Sequence, residues 1–402
     1  MKNNKIRIDE DKYVFDKRLY VVFLIVFTEI LSFTIVIPVI PFLGLELGLQ
    51  AFEIGLILSV FSFCQLFASP ITGKLSDRFG RKPLFILSQL STVLGFLLLG
   101  FATSTILLLA ARLVDGLLGS NMTVSQAYIS DITAPKHRIR VYGYYSGVFS
   151  IALIFGPVLG GVLSRISFSI PMFFGAGISL ISVFLVIFFL PETITKKPKG
   201  LSLGFNDVLP VKETKQFFRS LKVRKVLIMS FFYNLGFFLL ISVFGLFAEA
   251  KFNADVRQVG IYFGWFGLVR ALIQYFLISR ILKALGEESV FRTGLVAMII
   301  SMVGLVFSVD YIFVFVPFVF FAYGSGVIRP ILMSKLTNTV TKKQTATLLG
   351  VNNSLTSVVQ IITPIAGGLM ISYLSLQILP ILSALIFIFL LFISRNKNED
   401  LS

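Results

Sequence analysis

The stretch GKLSDRFGRKP, Gly73 to Pro83, places five charged side chains in one short turn between two long apolar segments. Basic residues are expected in such a turn, since Lys and Arg concentrate in the cytoplasmic loops of membrane proteins. That rule does not account for Asp77 or for the two glycines, Gly73 and Gly80. The stretch therefore indicates a turn between membrane-spanning helices that carries a charge pattern of its own.

The composition agrees with a membrane protein. The chain has 402 residues, of which 56% are hydrophobic and 14% are charged, whereas charged residues make up about a quarter of a typical globular domain. So much apolar surface cannot be buried inside a soluble core. We interpret the net charge of +16 as membrane topology and expect no nucleic-acid partner. The single cysteine, Cys64, excludes an intrachain disulfide and argues against redox chemistry.

Twelve apolar segments can be delimited by the charged and Pro/Gly-rich joints between them. Each is close to the roughly 20 residues that an α-helix needs to cross the hydrocarbon core. The sequence therefore predicts an all-α polytopic membrane protein with twelve transmembrane helices. Their predicted bounds are residues 19–43, 54–73, 84–102, 105–131, 141–163, 170–190, 224–248, 257–282, 290–308, 311–337, 345–371 and 375–394.

Basic residues alternate from one joint to the next. They occur in the N-terminal segment, in the long central segment and at 74–82, 136–140, 280–292 and 342–343, whereas the intervening joints are short or acidic. By the positive-inside rule both termini are cytoplasmic, which agrees with an even number of spans. The first twenty residues are too polar for a cleaved signal peptide. We therefore expect a multi-pass protein of the cell membrane that retains its first helix.

The two halves of the chain repeat one another. Residues 141–163 align with residues 348–370 at a constant offset, which pairs Pro157 with Pro364. The segment between the halves is rich in Lys, Pro and Gly and lacks long apolar runs. The sequence therefore predicts an N-terminal six-helix domain over residues 1–190, a cytoplasmic linker over 191–223 and a C-terminal six-helix domain over 224–402.

The charged turn resembles the signature G-x-L-x-D-R-x-G-R-[KR], which the major facilitator superfamily carries between its second and third helices. The fixed positions are matched by Gly73, Leu75, Asp77, Arg78, Gly80, Arg81 and Lys82. The resemblance implies two six-helix halves with a binding site between them near the bilayer midplane, and transport by alternating access.

The second copy of the charged turn, Ser279 to Ser289, keeps a glycine at Gly286 but is acidic where the first copy is basic. Only the first-half turn retains the full charged arrangement. We therefore expect Asp77, Arg78 and Arg81 to form a one-sided cytoplasmic latch. The latch would stabilise the outward-facing state by ion pairs and by a helix end across the domain interface.

Five ionisable side chains lie deep inside predicted spans: Glu29, Arg112, Asp115, Arg270 and Arg329. An unpaired charge at a helix centre costs at least about 2.5 kcal/mol, so each should face a cavity or an opposite charge. Glu29 has no opposite charge within one turn of its own helix, and a carboxylate in a dry cavity suits proton uptake and release. We expect Glu29 to couple protons to transport; the alternative is a structural ion pair.

Arg112 and Asp115 share one helix face and can neutralise each other. Arg112 with Gly116 also resembles the R-x-x-Q-G motif in the fourth helix of the superfamily, whose Arg is implicated in proton transfer. Asp115 replaces the Gln of that motif. Two interpretations remain, a local ion pair or a second coupling carboxylate, and we predict that Arg112 and Asp115 belong to the proton relay.

The fifth predicted span resembles G-x8-G-x3-G-P-x2-G-G, a signature shared by drug and proton antiporters. Ala152 occupies the second glycine position, and the matching residues are Gly143, Gly156, Pro157, Gly160 and Gly161. Glycine lets helices approach closely and proline bends a helix, which suits a hinge or a seal beside the substrate path. With IPVIPFL in the first span and FFLPET after the sixth, the chain is similar to the tetracycline efflux branch and its multidrug relatives.

Polar side chains at mid-span are candidate substrate contacts. We predict this role for Asn121, Gln126, Asn234, Arg270, Arg329 and Asn353. Arg270 and Arg329 could attract an anionic or chelated substrate, or they could simply pair with a carboxylate, and the sequence leaves both interpretations open.

The predicted function is secondary active transport, namely proton-coupled efflux by antiport of small amphiphilic drugs such as tetracycline-like compounds. The alternatives are a superfamily symporter or exporter of a metabolite, such as a sugar or an organic anion, and a receptor or scaffold with no net flux. No metal-ligand spacing, nucleophile–base set or nucleotide motif occurs, so we expect neither an enzyme nor a cofactor. The expected partners are a small-molecule substrate and the lipid bilayer, and the expected state is monomeric.

Overall fold

The structure is a computed structural model that describes residues 16–119, 121–134, 137–194 and 211–395, and these contain helices and no strands. The first half comprises α1 (Lys17–Glu46), α2 (Ala51–Phe79), α3 (Arg81–Gly100), α4 (Thr105–Leu118), α5 (Asn121–Ile132), α6 (Arg138–Leu163) and α7 (Ser169–Phe189). The remaining helices are α8 (Val211–Arg219), α9 (Leu221–Ile241), α10 (Phe244–Phe252), α11 (Val256–Leu272), α12 (Ile278–Leu285), α13 (Glu287–Phe307), α14 (Phe315–Asn338), α15 (Lys342–Tyr373) and α16 (Ile378–Arg395).

The predicted number of membrane spans is confirmed. Within the described residues, eleven helices or helix pairs are long and apolar enough to cross a membrane, and the shorter apolar helix Ile378–Ser394 supplies the twelfth segment. The predicted linker, 191–223, stays a prediction because its residues 195–210 lie outside the described part of the chain.

The helices extend beyond their predicted ends. α1 has 30 residues and α2 has 29, more than the roughly 20 that hydrocarbon requires. The prediction of an eleven-residue loop from Gly73 to Pro83 was therefore wrong, because α2 continues to Phe79 and α3 begins at Arg81. Hydropathy marks only the apolar part of a helix, and here the charged residues lie on its polar end. Gly80 alone forms the turn.

Three predicted spans are interrupted rather than continuous. The fourth breaks between α4 and α5 at Gly119, whose carbonyl oxygen accepts a 2.6 Å hydrogen bond from the side-chain amide of Gln65. The seventh breaks between α9 and α10. In the eighth, a π turn over Ile273–Leu277 joins α11 to α12. Irregular backbone at membrane depth is tolerated where it is buried in protein or lines a cavity, so these breaks point to the interior of the molecule.

Each half packs its helices around its own core. In the first half α1 packs against α6 and α7, and α3 packs against α4 and α7. In the second half an aromatic cluster fills the space between α9, α10, α11 and α14. Phe237 stacks on Phe321 with ring centroids 5.3 Å apart, and Phe244 lies 4.7 Å from Phe318 by the same measure.

The two largest contacts between the halves lie at the end of the molecule opposite Gly80, and the sequence repeat relates them. The first half of α2 packs against the last part of α15, and the last part of α6 packs against the start of α11. A Cβ atom at Gly55 would overlap the carbonyl oxygen of Pro364, and one at Gly260 would overlap that of Pro157. Backbone therefore touches backbone at both contacts, and we call this region the glycine seal.

Hydrogen bonds reinforce the glycine seal. The Phe52 N–H donates to the Ser372 hydroxyl at 3.0 Å, and the Ser59 hydroxyl donates to the Ile361 carbonyl at 2.7 Å. Both bonds join α2 to α15. The seal closes the molecule at this end, and the space between the halves begins where the seal stops.

Candidate transport site

A buried polar cluster lies in the interior of the first half. Glu29 on α1 is 8% exposed and lies beside Asn121 and within electrostatic range of Asp115. Its Oε2 atom has no hydrogen-bond partner among the described residues. The structure thus brings the predicted coupling carboxylates, Glu29 and Asp115, into one cluster.

Asp115 is held by two contacts of unequal quality. Its carboxylate accepts a 2.9 Å hydrogen bond from the Thr92 hydroxyl, and the Asn121 amide donates to that hydroxyl at 3.2 Å. The Arg112 guanidinium is 3.9 Å away, which is long for an ion pair, and Arg112 Nε has no partner in the described structure. The local ion pair, one of the two interpretations that the sequence left open, therefore exists, but at this distance it is weak, and Arg112 also faces the space between the halves.

Arg112 faces a small apolar pocket between the halves. The pocket has a volume of about 210 Å³ and is bounded by α1, α2, α4, α9 and α15. Aromatic rings form much of its wall: Phe33 and Phe61 lie with centroids 5.8 Å apart, and Phe238 closes the opposite side. The Arg112 guanidinium carbon lies 5.7 Å from the Phe61 ring centroid, within reach of a cation–π interaction.

A larger cavity of about 400 Å³ lies between the halves on the side of Gly80. It begins where the glycine seal stops, since α6 contributes lining residues before Ile154 and α11 contributes them from Gly267 onward. The first half contributes Gln126 and Tyr145, and the second half contributes Arg270 and Arg329. We call this space the arginine cavity.

The arginine cavity lies close to the Glu29 cluster. Tyr145 lines the cavity and lies within electrostatic range of Glu29, with the Gln126 side chain beside its hydroxyl. On the other wall, Gln274 in the π turn donates to the Gly326 carbonyl at 3.4 Å. The π turn therefore lies at the cavity wall, where irregular backbone in a membrane helix is tolerated.

The charged turn around Gly80 forms a network inside the first half. The Arg81 guanidinium contacts Asp77 at 2.5 Å, Asp131 at 2.9 Å and the Ser76 hydroxyl at 2.5 Å. The Glu192 carboxylate accepts hydrogen bonds from the backbone N–H groups of Arg81, at 2.9 Å, and Lys82, at 3.1 Å. These contacts tie the ends of α2, α3 and α5 to the chain after α7.

The predicted latch across the two halves stays a prediction. In this conformation the ion pairs of Arg81 lie within the first half, and the Arg78 guanidinium carbon lies 5.4 Å from the ring centroid of its neighbour Phe79. Among the described residues, the ion pairs of the charged turn do not cross to the second half.

The glycine motif of α6 packs against two neighbouring helices, α1 and α11. A Cβ atom at Gly156 would overlap the Thr34 side chain, and one at Gly160 would overlap the carbonyl of Ile35, so both face α1. A Cβ atom at Gly161 would lie 2.9 Å from the Arg257 Cα on α11. Pro157 contacts Gly260 in the seal. Gly143 lies in the same helix, but its surroundings are outside the described structure.

The remaining predicted substrate contacts are dispersed. Asn121 belongs to the Glu29 cluster, and the Asn234 amide donates to the Thr356 hydroxyl at 3.2 Å inside the second half. Asn353 is exposed, and its backbone carbonyl accepts from Ser357. Gln126, Arg270 and Arg329 are the members of the predicted set that line the arginine cavity.

Several polar residues of the site were missed by the sequence prediction. Thr92 and Gln89 on α3 belong to the buried interior, and both side-chain polar atoms of Gln89 lack a partner among the described residues. Glu192 and Asp131 hold the charged turn. The apolar runs around Gln89 and Thr92 hide them from a search for ionisable residues. The PET that follows α7 was a visible signal for Glu192, but its partner lies more than a hundred residues away.

Comparison with known proteins bears on what this site does. The sequence model of the Major Facilitator Superfamily matches this chain over residues 22–247 and 226–400. The tetracycline resistance protein, class H, of Pasteurella multocida is 27% identical over 371 residues, covering 89% of this chain and 90% of the relative. Multidrug resistance protein 2 of Bacillus subtilis (strain 168) is 28% identical over 349 residues, covering 86% of each.

Solved structures share the fold. The human organic anion transporter MFSD10 (TETRAN) superimposes with a TM-score of 0.70 at 21% identity, covering 94% of this chain and 98% of that one. A point mutant of the nucleoside transporter NupG gives a TM-score of 0.78 at 13% identity with the same coverage. At these identities the likeness concerns the arrangement of the helices and not the cargo.

Proposed function

The chain belongs to the Major Facilitator Superfamily, and on that premise we propose that it exports small amphiphilic drugs in exchange for protons. Its family and fold are those of membrane transporters. The printed names of its relatives, tetracycline and multidrug resistance proteins, support drugs as the class of cargo. In this proposal the protein is a monomer in the cell membrane. It needs no cofactor and is driven by the proton gradient.

One observation carries the proton-coupling part of the proposal: Glu29 is buried on α1 with an oxygen that has no hydrogen-bond partner in the described structure. A carboxylate in the membrane interior is costly unless it serves a function or has a partner. The weak Arg112–Asp115 pair leaves a second carboxylate and a cation nearby. In the proposal these groups pass a proton within the first half while the halves rearrange.

The proposed orientation puts the Gly80 end in the cytoplasm, since the charged turn there is rich in Lys and Arg. The glycine seal then closes the outer side, and the arginine cavity opens inward. Cargo would enter this cavity from the cytoplasm or the inner leaflet. The apolar pocket beside Arg112 suits the apolar part of an amphiphile.

In the proposed cycle, Glu29 takes a proton from outside in the outward-facing state and releases it inside after the halves rock. Tyr145 and Gln126 lie between Glu29 and the arginine cavity. Cargo in the cavity and the proton on Glu29 would therefore influence each other through these two side chains. Export follows if the loaded inward-facing state rearranges only after the proton has left.

The first test is susceptibility to a panel of drugs, including tetracyclines and lipophilic cations, in an efflux-deficient host. Expression of the chain should raise resistance, and a protonophore should remove the effect. In everted vesicles, drug addition to energised membranes should release protons from the lumen. A proton symporter would instead carry protons into intact cells with its substrate and so alkalinise the external medium, and that result would contradict antiport.

The second test is Glu29→Gln in the same vesicles. Because the amide keeps the shape of the side chain but cannot carry the proton, gradient-driven export should fall to the level of vesicles without the protein. Glu46→Gln is the matched control, since Glu46 lies at the exposed end of the same helix. Full gradient-driven export by Glu29→Gln would refute the coupling role.

A further inference from the structure

The arginine cavity has an uneven charge distribution. Among the described residues that line it, the charged ones are Arg270 and Arg329, both in the second half. The wall from the first half offers neutral polar groups, including Gln126, Tyr145 and Ser150. The cavity is therefore cationic on one wall and uncharged on the other.

Neither arginine has an acidic partner in the part of the chain that the structure describes. The described structure records no ion pair for Arg270 or Arg329, although Arg81 has two and Arg112 and Arg292 have one each. Arg270 lies instead within electrostatic range of Arg329 and of the buried ring of Tyr233. The sequence left two interpretations open, attraction of an anionic substrate and pairing with a carboxylate of the chain. The described residues do not support the pairing.

The two arginines are positioned by different means. Arg270 is largely buried, and its Cγ atom packs close to Gly326 on α14, where a side chain would lie in ordinary contact at 3.6 Å. Arg329 is exposed to the space between the halves. Arg270 therefore forms part of the wall, while Arg329 is accessible from the space between the halves.

Two guanidinium groups near one another in a membrane protein carry a cost when neither has an acidic partner, because burial desolvates Arg270 and the two charges repel each other. An anionic group bound between them offsets both the desolvation and the repulsion. Guanidinium presents a planar fork of N–H donors that matches carboxylate, sulfonate and phosphate oxygens. The same cavity also has apolar wall from Phe149, Leu153 and Met333, which suits the body of an amphiphile.

We propose that the arginine cavity binds the anionic head of an amphiphilic cargo, with Arg270 and Arg329 as the recognising groups. This inference rests on the proposed export function and narrows its substrate class to amphiphilic anions. A lipophilic monocation would place its charge against two like charges, so the cavity selects against it.

The proposal has an electrical consequence. Export of a monoanion in exchange for any number of protons moves one more positive charge inward than the number of protons. Export of a monocation moves one fewer. An inside-negative membrane potential should therefore accelerate export of the anion at equal pH on both sides, and much more than it accelerates export of any cation.

Binding is measured on the full chain, purified in nanodiscs, by titration calorimetry without any gradient. The probes are 2-naphthalenesulfonate and (2-naphthyl)trimethylammonium, which share the apolar body and differ in the sign of the charge. The sulfonate should bind and the ammonium should not. Arg270→Gln and Arg329→Gln should each weaken sulfonate binding by roughly 10- to 100-fold, the range expected for losing a charge-assisted hydrogen bond.

Three variants serve as controls. Arg270→Lys and Arg329→Lys keep the charge and should lose less affinity than the Gln variants, whereas a purely structural role would not distinguish Lys from Gln in this way. Arg280→Gln removes an exposed cation from the adjacent helix α12 and should bind the sulfonate as the unmodified protein does. Thermal unfolding of each variant checks that it is folded.

The outcomes separate the two proposals. Sulfonate binding that depends on both arginines supports the inference, even if no drug export is found in the cellular test. Ammonium binding with no sulfonate binding overturns it, even if the protein exports cationic drugs in exchange for protons. Sulfonate binding that is unchanged in both Gln variants also overturns it, since the recognising groups would then lie elsewhere.

Discussion

The same turn occurs twice in this molecule, at Gly80 in the first half and at Gly286 in the second. The two copies stabilise the N-terminus of the following helix in different ways. Both glycines have positive φ, +113° and +75°, and each ends one helix and begins the next. The helix that follows needs acceptors and negative charge at its N-terminus. In the first half Glu192 supplies both from more than a hundred residues away. In the second half Glu287 and Glu288 supply negative charge from the first turn of the helix itself.

The two turns differ in how many segments of the chain their side chains connect. Through Arg81, Asp131 and Glu192, the first turn joins four segments of the first half. In the second turn Glu288 contacts Lys335 on α14 at 2.6 Å and Arg292 in its own helix at 3.5 Å. The first half is thus braced at its Gly80 end, while the second half has a local ion-pair triad. A sequence repeat can thus keep a backbone shape while the side chains that stabilise it are exchanged.

The largest expected effect comes from adding a methyl group to each glycine. Gly80→Ala and Gly286→Ala both force a non-glycine residue into a backbone region that costs about 1–3 kcal/mol. At Gly80 the new Cβ would also overlap the Glu192 carboxylate, which two backbone N–H groups hold in place. Making room breaks those hydrogen bonds, at a further cost of roughly 1–3 kcal/mol.

The measurement is the apparent Tm in detergent at one fixed scan rate, since unfolding of such proteins is often irreversible. Gly286 has open space around its would-be Cβ, so Gly286→Ala reports the backbone cost alone. Gly177→Ala, at another open position, reports the effect of the substitution in an ordinary helix. Equal losses for Gly80→Ala and Gly286→Ala would mean that Glu192 does not brace the first turn.

The next effect concerns the basic side chain of each turn. Arg81 is nearly buried and bridges two carboxylates, so Arg81→Gln should lower the free energy of unfolding by about 1–3 kcal/mol. Its counterpart in the second turn is Lys335, which is more exposed and contacts Glu288. Lys335→Gln should cost less than about 1 kcal/mol.

A double-mutant cycle checks the assignment. If Arg81 acts through Asp131, combining Arg81→Gln with Asp131→Asn should cost less than the two separate losses added together. Arg81→Lys keeps the charge but not the fork that reaches Asp77, Asp131 and Ser76, so it should lie between the native protein and Arg81→Gln. Strict additivity would place the contribution of Arg81 elsewhere.

Much of the fold was predictable because it depends on local properties. Apolar runs long enough for hydrocarbon give the twelve spans, and a match between two segments of the chain gives the repeat. The helix ends were not predictable from hydropathy, since α2 carries Asp77 and Arg78 on its last turn and remains helical. Nor was the break at Gly119, where Gln65 from another helix donates a hydrogen bond to the carbonyl oxygen.

The candidate site likewise contains residues that could be predicted from the sequence and residues that could not. Glu29, Arg112 and Asp115 were predictable because a charged residue inside an apolar run stands out, and the structure brings Glu29 and Asp115 into one cluster. That Arg270 and Arg329 lack an acidic partner among the described residues could not be predicted, because it depends on which residues from distant segments surround them. Thr92 and Asn121 connect Asp115 to Glu29 through neutral groups, and neutral polar residues in a span give no signal of their own.

The smallest expected effect tests the source of negative charge at the two helix N-termini. Glu192→Gln keeps an acceptor for the N–H groups of α3 but removes the charge, a loss of about 0.3–1 kcal/mol that should shrink as salt is added. Glu192→Ala also removes the acceptor and should cost about 1 kcal/mol or more. Glu287→Gln in the second half should cost no more than Glu192→Gln does, because Glu288 remains in the same turn.

Hydrogen exchange of the segment after α7 gives the second readout of this comparison. Glu192 also accepts from the backbone N–H groups of Thr193 and Ile194, so Glu192→Ala should raise exchange there as well as at Arg81 and Lys82. Glu287→Ala should leave exchange in distant segments unchanged, because its contribution is local to α13. If Glu287→Ala were to raise exchange in other helices as much as Glu192→Ala does, the two turns would reach equally far, and the asymmetry between the halves would have to arise from the cavity and not from the turns.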